Sequence, residues 1–207
     1  MNYRILFLIV CLSVLPVIGQ AKTLLVLGDS ISAAYGVPVE KGWVSLLQQR
    51  LVQNKYNYKV VNASVVGETT LGAQMRLADL LTKHKPNIVV IELGGNDGLR
   101  GISLKEIESN FIKMVSMITE VNSDALLVPM QMPPNYGMKY REGFFSIYQK
   151  VSEIMKVPVS KFIFQNIADV PGLMQADGIH PVESAHPIML ENIWPSLSKL
   201  INKDINK

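Results

Sequence analysis

The sequence predicts an α/β protein, a three-layer α/β/α sandwich built on a central parallel sheet of five strands. Short apolar runs rich in Val, Ile and Leu alternate with longer segments of helical periodicity. This alternation is typical of a parallel sheet that helices cover on both faces. The composition, with 48% hydrophobic and 18% charged residues in a chain of 207, is that of a globular protein and favours one domain.

The strands are expected where β-branched runs are bounded by turn residues. These runs are TLLVLG (23–28), YKVVN (58–62), NIVVIELG (87–94), ALLVPMQ (125–131) and VSKFIF (159–164). Helical periodicity predicts helices at about 41–54, 70–84, 103–121, 140–156 and 186–202. The third of these opens with Ser103 and Glu106, a capping-box pattern that satisfies free amide groups. The connections are expected to be right-handed crossovers, and because parallel strands all point the same way, their carboxyl ends lie at one edge of the sheet.

Residues 1–21 have the layout of a secretory signal peptide. Arg4 precedes an apolar run at 5–18, and Gly19 and Ala21 place small residues before a cut after Ala21. The run is too short for a comfortable membrane span. We therefore expect a mature domain of residues 22–207 that is periplasmic or secreted and has no stable membrane insertion.

Composition excludes several classes of function for the mature chain. The single cysteine, Cys11, lies in the signal segment, which excludes disulfides, thiolate metal sites and a cysteine nucleophile. Loss of Arg4 lowers the net charge from +3 to +2, and no basic block suggests nucleic acid. Neither HExxH nor a nucleotide-binding glycine motif is present. We expect a monomer that needs no cofactor and no metal.

Small polar turns follow the first three strands, and a fourth polar cluster follows the last. They are LGDSIS (27–32), NASVVGETT (62–70), ELGGNDGLRG (92–101) and DGIHP (177–181). Each alone is explained by turn chemistry, because Gly, Ser, Asn and Asp are the residues that turns prefer. Together they supply a nucleophile, a base, an acid and oxyanion donors, which is the set that ester hydrolysis requires.

These four blocks resemble the SGNH, or GDSL, hydrolases. They appear in order as GDSIS around Ser30, Gly67 in VVGETT, Asn96 in GGND, and DGIH ending at His180. The resemblance covers essentially residues 22–200 and is strongest to a bacterial periplasmic subgroup of thioesterases, lysophospholipases and arylesterases. It implies a flavodoxin-like fold and a serine esterase or thioesterase acting on acyl-CoA, aryl esters or lysophospholipids. The alternatives are a carbohydrate O-acetyl esterase of the same family and, from a different class, a non-catalytic periplasmic binding protein.

The nucleophile is expected at Ser30, exposed at the sheet edge two residues beyond the first strand. Ser32 is the near competitor, but the resemblance puts the active serine directly after Gly-Asp, so Ser32 is assigned a helix-capping role. His180 would take the proton of Ser30 and return it to the leaving group. Asp177, three residues earlier, would accept the Nδ1 hydrogen of His180, so that one turn carries both groups.

The remaining candidates for these roles are weaker. His84 lies at a helix end, where a cation interacts favourably with the helix dipole. His186 opens a helix without an acid at the same spacing, and Asp169 is eleven residues from His180. A GxSxG elbow is missing because Ser32 stands where its second glycine would be, which argues against the α/β-hydrolase fold.

The resemblance also implies three donors for the oxyanion: the backbone N–H groups of Ser30 and Gly67, and the side-chain amide of Asn96. Glycine suits position 67 because a Cβ would obstruct the approach of the substrate. Asp29 and Asp97 adjoin these residues, and we interpret both as scaffold that holds the turns through side-chain to backbone hydrogen bonds.

A loop beyond the fourth strand, MQMPPNYGMKY (130–140), is the candidate for substrate binding. Met132, Pro133 and Tyr136 would offer adaptable apolar surface to an acyl chain. The alternative is that methionine here only fills gaps in the packing.

Overall fold

The structure is a computed structural model that describes residues 20–206. Residues 1–19, which carry most of the predicted signal peptide, lie outside the described residues, so that segment stays a prediction. In the part that the structure describes, no helix has both the length and the apolarity to cross a membrane.

A parallel sheet forms the centre of the molecule, with strand order β2-β1-β3-β4. The strands are β1 (Lys22–Gly28), β2 (Tyr58–Asn62), β3 (Ile88–Glu92) and β4 (Asp124–Val128). This is the doubly wound order in which ligands bind between β1 and β3, where the chain reverses its direction of winding. The register aligns Gly28, the last residue of β1, with Glu92, the last residue of β3. The turns that follow these two strands therefore begin side by side.

The fifth predicted strand, 159–164, is wrong as a strand: it forms one parallel bridge, between Leu127 and Val159. Leu127 N donates to Pro158 O at 3.0 Å, and Ser160 N donates to Leu127 O at 2.9 Å. The ladder stops there because neither Pro158 nor Pro129 has an N–H to donate, and the next backbone contact, from Ile163 N to Pro129 O, is 3.4 Å long. The sheet therefore has four strands and a single rung at its β4 edge.

Helices cover both faces of this sheet, which confirms the three-layer sandwich. Helices α1 and α6 pack together on one face, and α2, α4 and α5 pack on the other. The bounds are α1 (Trp43–Gln53), α2 (Thr70–His84), α3 (Gly95–Leu99), α4 (Leu104–Glu120), α5 (Met138–Met155) and α6 (His186–Ile205). The predicted cap at Ser103 is present, since its side chain accepts from Glu106 N at 3.2 Å. The short helix α3, directly after β3, was not expected.

The two strands that lead to the polar turns, β1 and β3, are buried in the core. All five residues of β3 are buried, and so are the last five of β1. Gly28 allows the turns after β1 and β2 to approach closely, because a Cβ there would lie 2.6 Å from Ser32 Cβ and 2.8 Å from Ser64 Oγ. The edge is thus a rigid platform on which side chains can be held in fixed positions.

Candidate active site

Ser30, His180 and Asp177 lie in one hydrogen-bonded chain at this edge. Ser30 Oγ is 3.0 Å from His180 Nε2, although 150 residues separate the two in sequence. His180 Nδ1 is 2.7 Å from Asp177 Oδ2. An imidazole placed this way can accept the hydroxyl proton at Nε2 while Nδ1–H donates to the carboxylate.

The DGIHP segment is both a turn and half of this chain. Asp177 Oδ1 accepts from Ile179 N at 2.9 Å and from His180 N at 3.0 Å, while its other oxygen faces the imidazole. Gly178 takes a φ of +68°, which glycine tolerates. The hydrogen bonds from the backbone and then the side chain of His180 lower the pKa of Asp177 to about 2. The carboxylate is therefore ionised at neutral pH, with both oxygens engaged.

Ser30 lies in a turn, 30–36, and is less exposed than expected, at 7%. No helix begins at this turn, so the helix-capping role expected of Ser32 is wrong. Ser32 Oγ instead donates to Glu92 Oε2 at 2.6 Å and accepts from Trp43 Nε1 at 3.2 Å. This buried network sets Ser32 beneath the sheet edge, away from the imidazole that Ser30 contacts.

Asn96, in the first turn of α3, lines the same cleft as Ser30 and His180. Its Nδ2 donates to Asp29 Oδ2 at 3.0 Å, and Asp29 Oδ1 accepts from Ile31 N at 3.0 Å. Asp29 therefore joins the turn after β1 to the turn after β3, which agrees with the scaffold role predicted for it.

Gly67 occupies a tight turn after β2. Glu68 N donates to Val65 O at 3.1 Å, and Gly67 takes a φ of +76°. Arg100 Nη2, at the end of α3, donates to Gly67 O at 2.9 Å. This contact ties the Gly67 turn to the helix that carries Asn96.

Asp97 makes the second link between α3 and the chain after β2. Its carboxylate accepts from Thr70 N at 2.9 Å and also from Thr70 Oγ1, at the start of α2. Burial raises the pKa of Asp97, while the bonds from Thr70 lower it. The hydrogen bond from Thr70 N to the Asp97 carboxylate is a side-chain to backbone bond of the kind predicted for Asp97 as scaffold.

Glu92 is a buried carboxyl group that sequence reasoning did not single out. It ends β3 at 0% exposure, and burial, followed by the charge of Asp29, raises its pKa well above the usual range. Burial also raises the pKa of Asp29 to about 6. The available signal was an acidic residue inside the apolar run NIVVIELG, since a buried carboxyl group needs a specific partner.

A cleft of about 610 Å³ opens beside Ser30 and His180. Its apolar lining includes Ile31, Leu99, Met130, Met132, Phe162 and Phe164. Of the predicted substrate-binding residues, Met132 and Pro133 line it, whereas Tyr136 is not among the lining residues. The Tyr136 hydroxyl donates to Leu99 O at 3.1 Å. Within residues 20–206, no group of three or more His, Cys, Asp or Glu could hold a metal ion.

Two residues that the sequence did not point to hold the His180 loop. The Tyr35 ring lies over that of His180, with 4.5 Å between centroids. Gln175 Nε2 donates to Tyr35 O and to Pro181 O, each at 2.9 Å. Both contacts link the turn after β1 to the loop of His180. Neither can be predicted from a local sequence pattern, because the partners are distant in sequence.

His186 has a different environment from His180. It is 1% exposed, and its Nδ1 accepts from Trp43 N at 3.1 Å, at the start of α1. Burial lowers the pKa of His186 to about 4, so the ring is neutral at physiological pH. Its position supports the packing of α1 on α6. This agrees with the sequence analysis, in which His186 is a weaker candidate than His180 for the catalytic base.

A doubly wound sheet with a Ser–His–Asp chain at its switch point is an arrangement able to carry out acyl transfer. The chain belongs to the GDSL-like Lipase/Acylhydrolase family, which it matches over residues 26–187. It is therefore a hydrolase of the GDSL class, as the four sequence blocks predicted.

Individual relatives agree with this assignment. The chain is 46% identical over 200 residues to "Esterase TesA" of Pseudomonas aeruginosa, covering 96% of this chain and 100% of that protein. It is 39% identical over 186 residues to "Thioesterase 1/protease 1/lysophospholipase L1" of Escherichia coli, covering 90% and 88%. Its fold matches the psychrotrophic esterase EstA from Pseudoalteromonas sp. with a TM-score of 0.83, at 39% identity, over 87% of this chain and 99% of that one.

Proposed function

We propose that this protein hydrolyses acyl esters and thioesters through Ser30, His180 and Asp177, with an acyl-enzyme intermediate on Ser30. One observation carries the proposal: the chain from Ser30 Oγ through His180 to Asp177, with contacts of 3.0 and 2.7 Å, lies beside an apolar cleft. A serine hydroxyl is a weak nucleophile unless a base adjoins it, and here one does.

In the proposed reaction, Ser30 Oγ attacks the substrate carbonyl carbon while His180 Nε2 takes the hydroxyl proton. The carbonyl oxygen becomes an oxyanion that accepts from the backbone N–H groups of Ser30 and Gly67 and from the amide of Asn96. Collapse of this intermediate breaks the bond to the alcohol or thiol, which leaves with the proton from His180. Water then attacks the acyl-enzyme, again with His180 as the base. Asp177, ionised because its pKa is about 2, stabilises the imidazolium in both halves.

The cleft supports an acyl chain as the part of the substrate that is bound. Apolar side chains make up about half of its lining, and Met132 is adaptable surface of the kind that suits a flexible chain. The relatives are named as an esterase and as a thioesterase and lysophospholipase. We propose acyl-CoA thioesters, aryl esters and lysophospholipids as the substrate class. The enzyme would act as a periplasmic or secreted monomer, after removal of residues 1–21, without a cofactor and without a nucleic-acid partner.

The test uses the mature chain starting at Lys22, with a series of p-nitrophenyl esters and acyl-CoA thioesters from two to twelve carbons. We expect turnover of both classes, with medium chains preferred over acetyl because of the apolar lining. Ser30→Ala should abolish turnover and covalent labelling by a fluorophosphonate, whereas Ser184→Ala, at an exposed serine, should retain both. Unchanged turnover in Ser30→Ala rejects the proposal. A strict preference for acetyl esters points instead to the O-acetyl esterase alternative.

A further inference from the structure

Asp29, which is buried, and Asn96, which is half-buried, form a contact that the proposed reaction does not itself use. Asp29 is 2% exposed, and its Oδ2 accepts from Asn96 Nδ2 at 3.0 Å across 67 residues of sequence. We propose that Asp29 is a positioning residue: it holds the side-chain amide of Asn96 in the one orientation that presents an N–H to the oxyanion. The inference rests on the oxyanion role proposed above for Asn96.

The two side chains differ in what they can donate and accept. An ionised carboxylate only accepts, whereas an amide has an accepting oxygen and a donating NH₂ at nearly the same distance from the backbone. Asp29 Oδ2 therefore favours the Nδ2 end of Asn96, because a flipped amide would set two acceptor oxygens against each other. With Nδ2 toward Asp29, one of its two hydrogens is used and the other is left for the substrate oxygen.

The second oxygen of Asp29 fixes the carboxylate itself. Asp29 Oδ1 accepts from Ile31 N at 3.0 Å, in the same turn as Ser30. A Cβ at Gly95 would lie 3.5 Å from Asp29 Oδ2, so the backbone of α3 approaches this oxygen closely. The carboxylate is thus held between the turn of Ser30 and α3. Through it, the backbone beside Ser30 determines the orientation of the Asn96 side chain.

The charges around Asp29 support the ionised form when it is needed. The pKa of Asp29 is raised to about 6, because burial outweighs the bonds from Ile31 and Asn96 and the positive form of His180, which all lower it. That positive form is the one that proton transfer from Ser30 creates. Asp97 acts in the opposite direction.

Asp29→Asn is the sharpest substitution because it preserves shape and removes one acceptor. Its side chain offers one oxygen and one NH₂, so it cannot accept from both Ile31 N and Asn96 Nδ2. We expect kcat to fall about tenfold to a hundredfold with KM nearly unchanged, less than the about 10²–10³ expected for removing an oxyanion donor. Asp79→Asn, at an exposed acid on α2, is the matched control and should retain wild-type kcat.

A double-mutant cycle of Asp29→Asn and Asn96→Ala separates a positioning role from a structural one. If Asp29 acts through Asn96, adding Asp29→Asn to Asn96→Ala should lower kcat by no more than about threefold. An equal loss from Asp29→Asn in both backgrounds overturns the inference. Wild-type kcat in Asn96→Ala is a different result, because it overturns the oxyanion role proposed for Asn96 itself.

The wild-type enzyme gives a test that does not depend on a variant folding. In a crystal structure of the phosphonate adduct at Ser30, the phosphoryl oxygen stands in for the oxyanion. We expect Asn96 Nδ2 within hydrogen-bond distance of both that oxygen and Asp29 Oδ2. An adduct in which Asn96 leaves Asp29 to reach the phosphoryl oxygen overturns the positioning role.

Discussion

The two halves of the candidate site are built in opposite ways. The nucleophile half, formed by the turn after β1 and by α3, is buried and held by pairs that are distant in sequence, such as Asp29 with Asn96. The acid–base half, residues 175–181, lies at the surface, with the Asp177 side chain 40% exposed, and its own turn supplies most of its contacts. One half therefore owes its geometry to the sheet, and the other to local hydrogen bonding.

The same difference moves two aspartate pKa values in opposite directions. Burial raises the pKa of Asp29 to about 6, whereas hydrogen bonds from His180 and Ile179 lower that of Asp177 to about 2. Burial penalises the charged form, and donated hydrogen bonds stabilise it. The exposed half therefore keeps a permanent negative charge beside the imidazole, while the charge of the buried half depends on its surroundings.

The largest expected effect is that of Asp177→Asn. The new amide oxygen can still accept from Ile179 N and His180 N, but its NH₂ would face His180 Nδ1 and favour the tautomer with hydrogen on Nε2. That tautomer cannot take the proton of Ser30, so kcat should fall about 10³–10⁴-fold. The melting temperature should change little, because this turn is exposed and Asn serves it well. Ester hydrolysis and thermal unfolding measure the two outcomes.

Asp169, the other acid of this region, provides the comparison for that prediction. The same substitution, Asp169→Asn, changes an exposed residue that makes no contact in the Ser30–His180–Asp177 chain. Loss of turnover in Asp169→Asn but not in Asp177→Asn would show that the acid has been assigned to the wrong residue.

His186 provides the second test, since it is the buried counterpart of His180. Its pKa is about 4 in the folded state and 6.5 in the unfolded chain, so between these values the unfolded state binds the extra proton. Folding stability should therefore fall as the pH drops from 6.5 to 4. The total loss should be roughly 3 kcal/mol, because one proton is bound and each pKa unit corresponds to about 1.36 kcal/mol. His186→Asn retains an acceptor for Trp43 N and should lose this acid sensitivity. Denaturant unfolding at pH 7.5 and at pH 4 measures it.

Asp29 changes the folding stability in the opposite direction over an overlapping pH range. Its pKa is raised in the folded state, so the folded state binds the extra proton and stability rises as the pH drops. This contribution is the same in wild type and His186→Asn, so it cancels when the two proteins are compared at each pH. An equal loss of stability in both proteins between pH 7.5 and pH 4 would contradict the prediction for His186.

Local pattern was sufficient for the exposed half of the site and for the sandwich. Asp177 and His180 are three residues apart, so one turn determines their geometry, and the strand and helix periods predicted both faces of the sheet. The fifth strand was wrong because the apolar composition of 159–164 does not show that Pro129 and Pro158, which have no N–H, interrupt its ladder with β4. The roles of Glu92 and Tyr35 could not be predicted, since each depends on a partner that only folding brings near.

Asp97 tests how firmly the buried half is held. Asp97→Ala leaves Thr70 N and Thr70 Oγ1 without their carboxylate acceptor at 0% exposure. The free energy of unfolding should fall by about 1–3 kcal/mol, the usual cost of a buried unsatisfied polar group. Asp79→Ala, at an exposed site on the same helix as Thr70, should change it by less than about 0.5 kcal/mol. Denaturant unfolding of both variants decides whether this link is structural, and equal stability of the two would contradict it.

Gln175 links the two halves of the site, and its substitution should have the smallest effect of the four substitutions proposed in this comparison. Its Nε2 bridges Tyr35 O in the turn after β1 and Pro181 O in the His180 loop. Gln175→Ala removes both bonds, each worth about 1 kcal/mol, and should lower kcat about fivefold to tenfold by letting His180 move relative to Ser30. Gln175→Glu retains the length of the side chain but replaces the donor with an acceptor, so it should lose as much. Wild-type kcat in Gln175→Glu would show that packing against Gly36, and not the bridge, keeps the halves in register.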